Sequence, residues 1–87
     1  MKSLREIIRH TRLVYGLSQK NVADYLGVTR NYISCLENNT GNCGVTDKRL
    51  REILDTVYFL GECKKEGNLE KVLEQRKQEI AESKKQF

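Results

Sequence analysis

Residues 17–38 read LSQKNVADYLGVTRNYISCLEN, and their spacing predicts two short helices joined by a tight turn. Ser18 and Thr29 are typical first residues of such helices, because their hydroxyls accept hydrogen bonds from backbone N–H groups of the first turn. Gly27 supplies the positive φ that the turn requires, and Ala23 is small enough for the two helices to meet closely. The stretch therefore predicts a helix-turn-helix unit.

The spacing of apolar residues before and after this unit predicts an all-α fold of about five helices. The chain contains no proline, and no segment alternates apolar and polar residues over the length of a strand. Ser3 and Glu6 form a capping box that begins the first helix, and Gly16 ends it. Two helices outside residues 17–38 then remain to be placed, and both follow the unit.

The fourth and fifth helices are predicted from similar signals. Thr46 is a suitable N-cap, and we expect the fourth helix to run from there to a stop at Gly61. Asn68 can cap a fifth helix. The charged stretch after Gly61 resembles a hinge, so we divide the chain into a helix-turn-helix domain, 1–60, and a C-terminal helical extension, 61–87.

Length and charge limit the possible functions. The chain has 87 residues, which is enough for one domain, and its 38% hydrophobic and 32% charged residues suit a globular helical protein. The net charge of +4 favours contact with phosphates, although many other surfaces carry as much. No apolar run is long enough to cross a bilayer, and the N-terminus is charged where a signal peptide is apolar. We therefore expect a cytoplasmic protein that does not bind membranes.

The sequence offers little for metal binding or catalysis. Cys35, Cys43 and Cys63 are odd in number and His10 is the single histidine, so we expect reduced thiols and no metal. There is no Ser-His-Asp set, carboxylate pair or Walker-type loop, so we expect no enzyme and no cofactor. Residues 41–44, GNCG, match the G-x-x-G of a KH loop, but that RNA-binding fold needs strands that this sequence does not predict.

The helix-turn-helix stretch resembles the family of the lambdoid phage repressors and Cro proteins, also called the XRE family. The resemblance covers residues 4–60, and its most specific positions are Leu17-Ser18-Gln19, Val22-Ala23, Leu26-Gly27-Val28-Thr29, Ile33-Ser34 and Leu36-Glu37-Asn38. It implies a lambda-repressor-like fold and a transcriptional regulator, a repressor in the first instance, that binds double-stranded DNA at an inverted repeat as a homodimer. The loop 39–44 departs from the family in being rich in glycine and lacking proline.

The resemblance also implies roles for particular residues. Arg30, Asn31 and Ser34 match positions that read bases, and the chemistry suits this role, since Arg pairs with guanine and Asn with adenine in the major groove. Contacts to the DNA backbone are implied for Gln19, Thr29, Tyr32 and Asn38, with Tyr32 and Cys35 at the edge of the groove. Arg12 and Glu37 match a pair that ties the first helix to the third in several relatives.

The fifth helix carries one apolar face, composed of Leu69, Val72, Leu73, Ile80 and Phe87. Arg76 and Ser83 interrupt this face, which is too short and too polar for a self-sufficient coiled coil. A helix-turn-helix of this size selects an operator as two copies, so we expect the face to pair with the symmetry mate or the mate's fourth helix. Packing onto the fourth helix of its own chain is the alternative.

Two further functions remain open from the sequence. One is the DNA-binding antitoxin of a toxin–antitoxin pair, in which the C-terminal extension wraps a protein partner. The other is a protein-interaction module that has the fold but does not bind DNA. For single residues there are simpler interpretations, since Tyr32 and Ser34 could be ordinary surface and Cys35 a small hydrophobe.

Overall fold

A computed structural model describes residues 3–38 and 44–85 of the chain. Its helices are α1 (Leu4–Val14), α2 (Gln19–Leu26), α3 (Arg30–Asn38), α4 (Asp47–Lys65) and α5 (Leu69–Lys85). These two ranges contain no strand, and the expected all-α fold is confirmed. None of the helices in the described ranges combines the length and apolar character that crossing a membrane requires.

Ser3, Ser18 and Thr46 cap α1, α2 and α4, as the sequence predicted. Ser3 Oγ accepts a hydrogen bond from the first turn of α1, and Thr46 Oγ1 accepts one from the first turn of α4. At α2 the capping box is complete: Ser18 Oγ accepts from the Asn21 N–H at 3.0 Å, and Asn21 Oδ1 accepts from the Ser18 N–H at 3.0 Å. The reciprocal bond at α2 was not predicted, because Asn here takes the position that Glu or Gln usually occupies.

The core lies between the first four helices. It consists of the buried residues Ile8, Leu17, Val22, Ala23, Ile33, Leu36, Leu50, Ile53, Val57 and Leu60. Val28, directly after the turn, is partly buried and packs against this cluster. The inner faces of α2 and α3 are thus held by α1 and α4, and the outer face of α3 is left to solvent.

The predicted end of the fourth helix at Gly61 is wrong. Gly61 is buried inside α4, which continues to Lys65. A Cβ at Gly61 would lie 2.3 Å from Cγ of Tyr15, so the missing side chain makes room for the tyrosine ring. The chain turns instead at Gly67, which has a φ of 80°. The boundary drawn from the sequence between 60 and 61 consequently falls within a helix.

Helix α5 folds back onto α2 and α4 of its own chain. Leu69, Val72 and Leu73 are partly buried against the core. The side chain of Ile80 lies beside the turn after α2, with its Cδ1 3.2 Å from the position that a Cβ on Gly27 would take. The four members of the predicted dimer face that the structure describes therefore already have contacts within the chain, and their pairing with a second copy stays a prediction. Phe87 lies outside the described residues.

Candidate nucleic-acid interface

The turn between α2 and α3 has the geometry that the sequence predicted. Gly27 adopts φ 72° and ψ 29°, in the left-handed region. The N–H groups of Gly27 and Val28 both donate to the carbonyl of Ala23, which closes the end of α2. Thr29 Oγ1 then accepts from the Tyr32 N–H at 3.1 Å and so caps α3. These bonds determine where α3 starts and in which direction it leaves the turn.

The outer face of α3 carries the residues expected to read bases. Arg30 and Asn31 are exposed in its first turn, and Ser34 is half-buried one turn later. Asn38 is exposed at the end of the helix and donates from Nδ2 to Ser34 Oγ at 3.4 Å. Arg30, Ser34 and Asn38 follow a spacing of four residues, so they lie along one side of the helix.

Two other residues of α3, Tyr32 and Cys35, are partly buried. Tyr32 is half-buried and packs against the hydrophobic core. Cys35 is half-buried with a free thiol. Only part of the Tyr32 side chain is therefore open to solvent. Cys43 and the loop 39–43 lie outside the described residues.

A buried ion pair joins α3 to α1. Arg12 Nε lies 2.7 Å from Glu37 Oε2, and the two side chains are 9% and 1% exposed. A second bond runs from Arg12 Nη2 to Glu37 Oε1 at 2.9 Å, so the contact is bidentate. The structure thus brings together the pair that the resemblance implied.

The surroundings of this pair extend the connection to α2. Arg12 Nη1 donates to the carbonyl of Leu17 at 2.8 Å, and Gln19 Nε2 donates to Glu37 Oε1 at 3.3 Å. Among the residues that the structure describes, no buried side-chain nitrogen or oxygen lacks a hydrogen-bond partner. The first turn of α2 and the last turn of α3 are therefore held on one buried guanidinium–carboxylate unit.

A groove lies between the first turns of α2 and α3. Its volume is about 440 Å³, and its lining residues are Arg12, Ser18, Gln19, Lys20 and Arg30. Lys20 and Arg30 are exposed, whereas the charge of Arg12 is paired with Glu37. Two free cations beside the N-terminus of a helix create a positive potential that suits a phosphate.

Sequence reasoning did not single out two basic residues of this region. Lys20 was not named, although a cation in the first turn of α2, next to Gln19, was a readable signal. Arg5 of α1 donates from Nη1 to the carbonyl of Leu36 at 2.9 Å, near the end of α3. No local sequence pattern predicts the bond from Arg5 to Leu36, because the two residues are distant in the sequence.

Neither a metal site in the described residues nor a known relative indicates the function of the chain. In 3–38 and 44–85, no group of three or more His, Cys, Asp or Glu side chains is placed to hold a metal. Comparison of the chain with known protein families, with curated proteins and with solved structures finds no match. Its class must therefore be argued from the geometry described above.

Proposed function

We propose that this chain is a sequence-specific regulator of transcription that binds double-stranded DNA, a repressor of the XRE type acting in the cytoplasm. The observation that carries the proposal is the contrast between the two faces of α3. Its inner face is buried and joined to α1 through Glu37, while its outer face presents Arg30 and Asn31 beside a positive groove. This is the arrangement that an element entering a major groove requires.

The chemistry of the outer face fits readout of bases. The guanidinium of Arg30 donates two hydrogen bonds to O6 and N7 of a guanine, and the amide of Asn31 pairs with N6 and N7 of an adenine. Ser34, one turn further along the helix, reaches either kind of base. Gln19 and Lys20 at the start of α2 hold the neighbouring phosphates, together with Thr29 and Asn38.

The buried pair supports this function because it holds α3 in place before DNA arrives. Ordering a helix at the moment of binding would cost affinity, whereas a helix that is already fixed retains the energy of its contacts. Glu37 accepts three hydrogen bonds, from two nitrogens of Arg12 and from Gln19. The side chains of the reading face thus project from a rigid element, as selective recognition requires.

Two copies are needed for a selective operator. One module of this size buries too little surface to choose a site alone, and paired modules bind half-sites about 34–36 Å apart. We therefore propose that a homodimer binds an inverted repeat. Analytical ultracentrifugation of the full chain with a symmetric operator should find two chains per duplex, and one chain per duplex would contradict this part of the proposal.

The antitoxin alternative is favoured by one observation, a pair of exposed apolar side chains on α1 and α4. Val14 is 70% exposed and Tyr58 is 46% exposed. Val14 and Tyr58 also line a hollow of about 320 Å³ between the two helices. A contiguous exposed apolar patch is typical of protein-binding surfaces. Analytical ultracentrifugation without DNA compares the oligomeric mass of Val14→Asp with that of the parent chain. If the two masses are equal, this surface does not serve a homodimer, and a different protein partner is favoured.

The proposal is tested by selecting binding sites from random duplexes with the full chain. Arg30→Ala should relax the preference at one or two positions and lose about 1–3 kcal/mol on the selected site. Arg51→Ala, which removes an exposed arginine from α4, is the matched control and should leave the selected motif unchanged. Selection of an unaltered motif by Arg30→Ala at full strength would contradict the assigned role.

A second arm measures phosphate contacts. Lys20→Ala should weaken binding to all sequences alike and reduce the salt slope by about one, because one phosphate contact and its counterion release are lost. Gln19→Ala should also weaken all sequences alike. Affinity of the parent chain that ignores salt would instead support a protein-interaction module without DNA binding.

A further inference from the structure

The carboxyl end of α2 is held by a side chain from α5. The last carbonyl groups of a helix have no N–H partner within that helix, and another group must satisfy them. Arg76 Nε donates to the carbonyl of Tyr25 at 2.8 Å, in a part-buried contact. A cation at this position also opposes the negative end of the helix dipole. Arg76 therefore closes the end of the first helix of the helix-turn-helix.

Further contacts of α5 surround the same turn. The guanidinium carbon of Arg76 lies 5.3 Å from the centre of the Tyr25 ring, which is within the range of a cation–π contact. The Tyr25 ring also contacts Phe59 of α4, and the two ring centroids are 5.6 Å apart. Ile80, one turn beyond Arg76, packs beside Gly27. Helix α5 thus contacts both the last turn of α2 and the glycine that reverses the chain.

We propose that α5 positions the recognition helix, with Arg76 as the positioning residue that holds the turn between α2 and α3. The inference rests on the proposed DNA-binding function. Helix α3 begins shortly after the carbonyl that Arg76 binds, so a shift of the turn moves Arg30 and Asn31 together. Bidentate hydrogen bonds to bases tolerate little displacement, and DNA affinity consequently depends on a side chain that does not touch DNA.

The experiment compares two full-length variants that each lose one positive charge. Arg76→Gln removes the bond to Tyr25, whereas Lys77→Gln removes an exposed charge from the next position of α5. We expect Arg76→Gln to bind the selected operator about fivefold more weakly, the effect of losing one hydrogen bond, and Lys77→Gln to stay within about twofold of the parent. Affinities are measured at a temperature where circular dichroism shows every variant fully folded. A general loss of stability then does not change the measured affinity.

The salt dependence of affinity separates positioning from direct contact. If Arg76 acts through the turn, the slope of log Kd against log salt is the same for Arg76→Gln and the parent. A slope reduced by about one would show that Arg76 itself binds a phosphate, and would overturn the inference. Equal affinity of the two variants and the parent would overturn it as well.

Amide hydrogen exchange tests the effect on the turn without DNA. The N–H groups of Gly27 and Val28 both donate to Ala23 and report on this turn. Relative to the amide of buried Ile8, they should exchange about fivefold faster in Arg76→Gln and at the parent rate in Lys77→Gln. Unchanged exchange would refute the positioning role. If the turn loosens but the parent chain binds no DNA, the proposed function fails and the structural role of Arg76 stands alone.

Discussion

Arg12 of α1 and Arg76 of α5 both hold the helix-turn-helix, and they differ in burial. The side chain of Arg12 is 9% exposed and meets a carboxylate that is 1% exposed. The side chain of Arg76 is 38% exposed, and its carboxylate partner, Glu79, is 53% exposed. If the bond from Arg76 is lost, water can donate to the carbonyl of Tyr25 in its place. Water cannot easily reach the buried carboxylate of Glu37. The comparison indicates that the first contact stabilises the whole fold and the second adjusts one turn.

The largest effect is expected at the buried contact. Glu37→Ala leaves the guanidinium of Arg12 buried without its carboxylate, which should lower the free energy of unfolding by about 3–5 kcal/mol. Urea unfolding followed by circular dichroism measures this loss. Glu52→Ala is the matched control, because its pair with Arg49 is exposed and should contribute less than about 1 kcal/mol. Equal losses in the two variants would remove the energetic distinction between buried and exposed contacts.

A third contact, buried but without charge, should give an intermediate effect. Gly61→Ala places a Cβ 2.3 Å to 2.5 Å from the ring atoms of Tyr15, so the ring must move. We expect a loss of about 1–3 kcal/mol in urea unfolding, as for other overpacked sites. Gly44→Ala is the control, since a Cβ there meets nothing within 4 Å. A stability equal to that of Gly44→Ala would show that the ring adapts freely.

The same variant has a second readout in the titration of Tyr15. The Tyr15 hydroxyl donates to Glu62 Oε1 at 2.9 Å, and this hydrogen bond is the main cause that raises the pKa of Tyr15 above its ordinary value. If the ring moves in Gly61→Ala, the bond is lost and the phenol should ionise at lower pH. Titration of the assigned Tyr15 ring signals by NMR measures this change, and a Tyr15 pKa equal to that of the parent would show that the contact persists.

The smallest effect on global stability is expected at the half-exposed arginine. Arg76→Gln should lower the free energy of unfolding by less than about 1 kcal/mol, because solvent screens the contact and can hydrate the carbonyl of Tyr25. Its influence should be visible in the exchange of the turn amides rather than in urea unfolding. A loss as large as that of Glu37→Ala would mean that α5 is as much part of the core as α1.

Much of the candidate site could be predicted because its signals are local. Ser18, Gly27 and Thr29 act on backbone groups within a few residues, so their effects do not depend on the rest of the fold. The pair Arg12 and Glu37 was implied by resemblance, since spacing alone cannot show that two distant side chains meet. Arg76 was read only as an interruption of an apolar stripe, because its partner is a carbonyl that no sequence pattern displays.

Gly61 and α5 show the limit of reasoning from sequence. A glycine at the end of an apolar stripe is typical both of a helix stop and of a close contact, and only the ring of Tyr15 distinguishes them. The apolar face of α5 was equally compatible with a second chain and with its own core. Leu69, Val72 and Leu73 pack on that core, but whether a second copy also contacts the helix stays a prediction.

The sequence by itself determined the all-helical fold, the helix starts at Ser3, Ser18 and Thr46, and the glycine turn, because capping and positive φ depend on neighbouring backbone groups. Only the tertiary structure decided that α4 passes through Gly61 and that α5 closes the end of α2. These outcomes depend on the shapes and free hydrogen-bonding groups of segments far apart in the chain, and those groups become neighbours only when the core forms.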